Sequence, residues 1–356
     1  MDRLTKLREA MQKMDLDGML ITAPQNQRYL SGFSGGEGAL LIGADTAVIV
    51  TDFRYWEQVA QEVKAFTLHK QTEKLLPTIA RLLTEMKWRR IGFESAQVTF
   101  GEYQLLRELI PAGQELIPAG EMVAEIRWIK DAEEIELLAQ AEAITDRAWQ
   151  ATMQLIKAGV QERELALEFD YQIRKNGAEG NSFTTIVASG FRGALPHASA
   201  SSKTIAPGEL VTLDGGALYH GYCADLTRTV VLGKADPKQH EVYQTVLEAQ
   251  ERALKVLRAG MIGSKVDAVA RDYIAGRGYG ANFGHGLGHS VGLQIHEEPR
   301  LSLTETHEIP VGAVITVEPG IYLPGWGGVR IEDLVVVETD GIRNLTNSPK
   351  QNLIEL

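Results

Sequence analysis

The sequence predicts an α+β protein of two domains, the second carrying an internal repeat. Three observations predict it. The chain has 356 residues, more than one ordinary core serves, and its 44% hydrophobic and 23% charged content is that of a globular protein. Over residues 1–120, short apolar runs alternate with stretches of helical periodicity. Farther on, two helix pairs share landmarks at an offset of 101 residues: Lys157-Ala158-Gly159 with Arg258-Ala259-Gly260, Leu165 with Val266, and Gly177 with Gly278.

Leu4, Leu7 and Met11 recur at helical spacing and give an amphipathic first helix. The apolar runs 18–22, 39–42 and 47–51 read as strands, with Gly43-Ala44-Asp45 turning between the last two. Helices follow over 54–63 and 74–86, then a strand at 90–94. Such alternation predicts a small three-layer domain with a mixed sheet. The polar, aromatic stretch 51–55 (TDFRY) either reaches a neighbouring site or simply joins strand to helix, with Asp52 near the helix start. A turn-like PAGE at 118–121 marks the boundary, and the domains are assigned as 1–122 and 123–356.

Asp131 is the expected N-cap of a long helix, with Glu134 three residues on as in a capping box. That helix is expected to run to Gly159, which supplies a left-handed stop. A second covers 162–175, with Leu165, Phe169 and Ile173 on one face, and stops at Asn176-Gly177. A duplication of this pair predicts a pseudo-two-fold domain with its site at the junction of the halves. The remainder reads as strands at 183–188, 210–213, 223–231, 314–317 and 328–337, with 214–222 as a turn. Alternation puts Arg330 and Glu332 on one strand face, and Asp225 and Thr227 on another.

The formal net charge of −11 opposes nucleic acid, whose phosphates it would repel. A single cysteine, Cys223, excludes an internal disulfide and a Cys-rich zinc site, and suits a small semi-buried strand residue. The first 21 residues intersperse charges with apolar residues and hold no apolar h-region. No stretch approaches the ~20 apolar residues of a membrane span. A cytoplasmic location with no membrane partner is therefore expected.

Five potential metal ligands stand out: Asp214 and Asp225 in VTLDGGALYHGYCADLTRTV, His289 in GHGLGHSVGLQIHEEPR, Glu318 in ITVEPGIYLPG and Glu332 in GGVRIEDLVVVE. Four carboxylates and one imidazole are a hard set, suited to Mn²⁺, Co²⁺ or Fe²⁺ more than to structural zinc. Two such cations hold a water between them, acidify it and polarise a carbonyl, which is the equipment for hydrolysing an amide. The glycines in His285-Gly-Leu-Gly-His289 disfavour a helix, so a strand or loop presents one ligand, His289. His285 supports the metal site or the substrate, or holds a structural hydrogen bond. His296 and His197 are candidates to face a cleft.

These motifs, together with SFTTIVASG and LPHA upstream, resemble the pita-bread metallopeptidases, in the branch of Xaa-Pro aminopeptidases and Xaa-Pro dipeptidases (prolidases). The resemblance covers about residues 127–350. More weakly, the first 120 residues resemble that branch's creatinase-like N-terminal domain. It implies a pita-bread C-terminal domain and a dinuclear exopeptidase that cleaves before a proline at the second position through a metal-bridging hydroxide. By the same resemblance Asp214 chelates one ion, Asp225 and Glu332 bridge both, and His289 and Glu318 complete the other site. Glu318 would be general base, His296 would stabilise the oxyanion, and His197 would hold the substrate carbonyl. Arg330 would orient the site and Thr227 would support Asp225. The implied cofactors are two divalent ions per subunit, Mn²⁺ first, with Co²⁺, Zn²⁺ or Fe²⁺ as alternatives. The implied assembly is a homodimer. Gly215 and Ala224 depart from residues common in such relatives, an aromatic and a serine, which bears on substrate fit. Methionine aminopeptidase-like activity, a metal-free creatinase-like amidinohydrolase and a non-catalytic pita-bread binding module are the alternatives on the same scaffold.

Overall fold

The computed structural model describes residues 2–356, which divide into two compact units, one ending at Arg127 and the other Trp128–Leu356. The sequence division at 122/123 falls within a short helix, Met122–Ile126, that packs on the first helix of the chain.

The first unit runs α1 Arg3–Lys13, β1 Gly18–Ile21, α2 Pro24–Ser31, β2 Ala39–Gly43, β3 Ala47–Thr51, α3 Trp56–Glu62, β4 Thr67–Lys70, α4 Leu75–Met86, β5 Arg90–Phe93, α5 Phe100–Leu109, β6 Glu115–Pro118 and α6 Met122–Ile126. Its six strands form one mixed sheet in the order β4-β3-β2-β1-β5-β6. Pairs β1/β2 and β2/β3 are antiparallel and the rest parallel. Leu20, Leu41 and Ile91 from the sheet pack with Leu83 and Leu106 from the helices. Helix α5 starts on a reciprocal capping box, Thr99 with Glu102, a local signal the apolar periodicity did not reveal. Helix α3 begins at Trp56, later than expected, because the Asp52 carboxylate takes the Arg54 N–H and guanidinium at 3.0 and 2.9 Å.

The second unit runs α7 Ala132–Met153, α8 Glu162–Lys175, β7 Gly180–Asn181, β8 Ile186–Ser189, β9 Leu210–Gly215, β10 Ala217–Tyr219, β11 Tyr222–Cys223, β12 Leu226–Val231, α9 Pro237–Val256, α10 Gly263–Gly276, β13 Gly288–Ser290, β14 Glu297–Leu301, β15 Val314–Val317, β16 Gly320–Leu323, β17 Gly327–Arg330, β18 Asp333–Glu338 and β19 Gly341–Asn344. The Asp131 capping box is present. Helix α7 ends at Met153 rather than reaching Gly159, because the chain turns to bury Ile156 and to bond the Gly159 N–H to the Ile205 carbonyl. Helices α8 and α10 have the same length and start 101 residues apart, and each is followed by a left-handed glycine, Gly177 and Gly278.

Each half has its own core. One gathers Trp149, Phe169, Val187 and Leu213; the other Val246, Ile274, Ile315 and Val335. The first half carries the antiparallel sheet β12-β9-β8, the second the sheet β14-β13-β15-β18-β19 and the hairpin β16–β17. Residues 214–222 are not a simple turn. Ala217–Tyr219 and Tyr222–Cys223 form a further hairpin, turning at His220 and Gly221, both left-handed. The buried Cys223 lies on that hairpin.

Candidate metal centre

The two halves meet through the Glu332 N–H, which donates to the Thr227 carbonyl at 3.2 Å. Asp214 lies on β9 directly opposite Thr227 on β12, and Asp225 immediately precedes β12. His289 lies on β13, Glu318 follows β15, and Glu332 sits between β17 and β18. The five predicted ligands therefore lie on or beside strands of both halves. Carboxylate oxygens of Asp214, Asp225 and Glu332 all lie within 4.8 Å of one another. The His289 Nε2 lies 3.5 Å from Asp225 Oδ2 and 3.4 Å from Glu318 Oε1. Strands β13 and β15 approach closely enough that a Cβ on Gly288 would sit 1.9 Å from the Thr316 oxygen, so only glycine fits before His289.

Burial, with the neighbouring carboxylates, raises Asp225 and Glu332 well above the usual range. Burial likewise pushes Glu318 up to about 7, and lowers His289 to about 3, with His296 as a further cause. His289 is therefore neutral near pH 7. Its Nδ1 faces the Ser290 carbonyl at 3.1 Å, which leaves the Nε2 lone pair toward the carboxylates. Two buried oxygens, Asp214 Oδ1 and Glu332 Oε1, have no hydrogen-bond partner. Buried carboxylates are costly unless paired, and these two belong to a cluster of three acids with a neutral imidazole beside Asp225. The set fits divalent cations, which would relieve the repulsion and satisfy both oxygens.

Arg330, 4% exposed, ties the arrangement together. Its guanidinium donates to Asp214 Oδ2 at 2.6 Å, Thr227 Oγ1 at 3.0 Å and Tyr322 Oη at 2.9 Å. Thr227 in turn donates to Glu332 Oε2 at 2.7 Å, so Thr227 supports Glu332 as well as flanking Asp225. The sequence reading missed Tyr322, the aromatic of VEPGIY, whose hydroxyl joins Arg330 to His285 Nε2 at 2.9 Å. His285 turns its Nδ1 to the Gly286 carbonyl at 2.8 Å, and burial lowers it to about 4. It is thus a neutral acceptor for Tyr322.

Also missed was a buried brace behind the ligands. Arg228 donates to Asp333 Oδ1 at 2.8 Å, to the Ser348 carbonyl at 2.7 Å and to the Glu332 carbonyl, while Lys350 also pairs with Asp333. Only its pairing, not its residue types, marks that brace, and its members lie far apart in sequence.

The carboxylates floor a cavity of about 830 Å³ that His197, His285, His289 and His296 also line. The His296 ring meets the His289 ring edge-on, with centroids 4.5 Å apart. His197 is exposed on the loop after β8.

Residues 136–339 match the model of metallopeptidase family M24, and residues 3–129 that of the creatinase/prolidase N-terminal domain. The chain belongs to metallopeptidase family M24. It is 38% identical over 354 residues to a Xaa-Pro dipeptidase of Pyrococcus furiosus, covering 99% of each protein. Its structure matches a Xaa-Pro dipeptidase from Bacillus anthracis with a TM-score of 0.96 at 41% identity, over 99% of each chain. It also matches an X-Pro aminopeptidase from Thermotoga maritima with a TM-score of 0.91 at 38% identity, over 98% of this chain and 100% of that one. The pita-bread and creatinase-like expectations hold. Among the described residues no helix is long and apolar enough to cross a membrane. Membership of this family makes the chain a hydrolytic enzyme that uses divalent metal ions.

Proposed function

We propose that the protein is a dinuclear metal-dependent exopeptidase that releases the N-terminal residue from peptides with proline second. The observation that carries this is the pair of orphaned buried oxygens, Asp214 Oδ1 and Glu332 Oε1, in a cluster that also holds Asp225 and a neutral His289 at the floor of a cavity. The proline preference is supported by the relatives, which are named Xaa-Pro dipeptidase and X-Pro aminopeptidase.

Asp214 would hold one ion, and His289 with Glu318 the other. Asp225 lies near Asp214 and Glu332 on one side and 3.5 Å from His289 on the other, which suits a shared ligand, and Glu332 would be its counterpart. The bound ions would polarise the scissile carbonyl and acidify the attacking water. Glu318, half-buried and with its proton affinity raised by desolvation, would take a proton from the attacking water and deliver it to the leaving proline nitrogen. His296, beside His289 and facing the cavity, donates to the developing oxyanion. His197, which also lines the cavity, would hold the substrate carbonyl. Arg330 orients Asp214 through its 2.6 Å contact, with Thr227 and Tyr322 fixing the guanidinium. The oxygen-rich set favours Mn²⁺, with Co²⁺, Fe²⁺ or Zn²⁺ as substitutes. We further propose a cytoplasmic homodimer, which size-exclusion chromatography and cell fractionation would check.

The test is hydrolysis of Ala-Pro, Ala-Pro-Ala and Met-Ala after each metal is returned to chelated protein. Ala-Pro cleavage restored best by Mn²⁺, with Met-Ala inert, is expected. Preferential cleavage of Met-Ala would transfer the protein to the methionine aminopeptidase reading, and full activity after chelation would overturn the metal assignment. The ratio of Ala-Pro to Ala-Pro-Ala turnover decides between dipeptidase and aminopeptidase.

A further inference from the structure

One fully buried carboxylate, Glu162 at the start of α8, accepts five hydrogen bonds. Its Oε1 takes the Ser189 N–H and hydroxyl at 2.8 and 2.9 Å. Its Oε2 takes the Ser201 N–H and hydroxyl at 3.1 and 2.7 Å and the Arg192 Nε at 2.9 Å. Ser189 and Ser201 are the two ends of the loop 190–200, and Arg192 lies inside it, bonding the Ser199 carbonyl at 2.6 Å. A single side chain therefore closes the neck of this loop. The loop forms one lip of the cavity through Pro196, His197 and Ser199. It also touches the metal centre, since the Pro196 carbonyl accepts from Arg330 at 3.3 Å.

The second half answers with the same device built the other way round. Position 263, the start of α10 and 101 residues after Glu162, is glycine. A Cβ there would lie 2.1 Å from the Arg300 carbonyl and 2.5 Å from Glu305 Cγ. The space a side chain would need is filled by Glu305, 8% exposed, which comes from the loop itself. Glu305 accepts from the Arg300 N–H at 3.0 Å, the His307 N–H at 2.8 Å and the His307 ring at 2.7 Å. It thereby ties the ends of 301–306, whose Ser302 and Thr304 line the cavity. Matching isolated bridges, Gln161 with Thr204 and Ile262 with Glu308, flank the two ties.

We propose that Glu162 and Glu305 are positioning residues that preset the two lips of the cavity, Glu162 fixing the loop that carries His197. Neither carboxylate lines the cavity, and neither is among the clustered metal-site carboxylates. Their effect is on where substrate groups are met, because small displacements of a positioned group cost much of its binding. This rests on the cavity being the peptide site.

Glu162→Gln keeps the size but replaces an acceptor oxygen with a donor. It is expected to raise KM for Ala-Pro by ~10-fold while kcat changes by less than ~3-fold, with metal content by elemental analysis unchanged. Chymotrypsin should cut faster at Phe191, which is 60% exposed on the tied loop. Glu305→Gln should act likewise, with faster cutting at Leu303. Ser201→Ala removes one of the five bonds and should show the same pattern more weakly; it decides the matter if Glu162→Gln does not fold. Unchanged KM and cleavage rates overturn the proposal. So does a loss of metal in step with kcat, which would make Glu162 a support of the metal centre. Metal content and loop cleavage need no turnover, so a wild-type protein inert to Ala-Pro would sink the functional reading while the lip ties are still judged by proteolysis.

Discussion

Glu94 in the first unit and Glu332 in the second are both buried carboxylates, 4% and 1% exposed, yet their surroundings are opposite. Glu94 is saturated. It receives the N–H groups of Thr22 and Ala23 at 2.6 and 2.8 Å and the Asn26 amide at 2.5 Å, so it caps α2 from a distant strand end in place of a local capping residue. Asn26 in turn accepts from Arg127 at 2.7 Å. Glu332 receives only Thr227, and its other oxygen, like one oxygen of Asp214 in the same cluster, has no partner. The first carboxylate is consumed by the fold; the second is held ready for something the fold does not supply. Between these two acids, saturation rather than burial makes the difference.

The largest effect expected from this contrast is at Glu332. Glu332→Gln should lower bound metal and cut Ala-Pro turnover by ~10³-fold, since a bound cation contributes several kcal/mol at the reacting carbonyl. Elemental analysis beside the assay checks it, and full metal content with near wild-type turnover would remove Glu332 from the centre. Glu94→Ala should do the reverse. It strands two N–H groups and an amide, destabilises the first unit by about 3 kcal/mol in denaturant titration, and leaves metal content intact. An unchanged unfolding midpoint would contradict the capping role.

A smaller effect is expected at Tyr322. Tyr322→Phe deletes the hydroxyl between Arg330 and His285, and kcat should fall ~10-fold, about the worth of one charge-assisted hydrogen bond, with metal retained. No change in kcat would show that Thr227 and Asp214 suffice to fix Arg330.

The smallest effect is in pH dependence. Without metal, burial pushes Glu318 up to about 7 and, with Asp146 nearby, Glu142 up to about 8, from ordinary values of 4.5. A carboxyl raised on folding stabilises fully below its unfolded value and loses that contribution as pH climbs through the folded one. The lowered His285 and His289 act the other way, but only below their unfolded value of 6.5. Melting temperature of the metal-free protein should therefore drop by a few degrees from pH 6.5 to about 8.5. With metal loaded the drop should be shallower, because the cations take the place of the proton on Glu318. Equal slopes would mean the carboxylates keep their protons from no metal.

Much of this was legible in the chain. The candidate ligands are set in glycine-rich, strand-like segments, and the helix pair with its left-handed glycines betrays itself by a constant offset. Strand period set Arg330 with Glu332 and Thr227 with Asp225, but the bonds cross between those pairs, Arg330 donating to Thr227 and Thr227 to Glu332. Helix α2 and the short strands β4 and β6 escaped notice because their stability comes from partners: Glu94 caps α2, and β4 and β6 are sheet edges. Tyr322 and Arg228 escaped for the same reason, being ordinary residues until their contacts are known.

The sequence by itself determined the chemistry of the site, since four carboxylates and an imidazole set what kind of ion can bind wherever they meet. It also determined the family, through motifs whose residues and spacings leave little freedom. The tertiary structure alone separated the candidate ligands from the struts. That depends on whether each oxygen finds a donor, and donors such as Thr227 for Glu332, Thr22 for Glu94 and Ser189 for Glu162 lie tens of residues or more away along the chain.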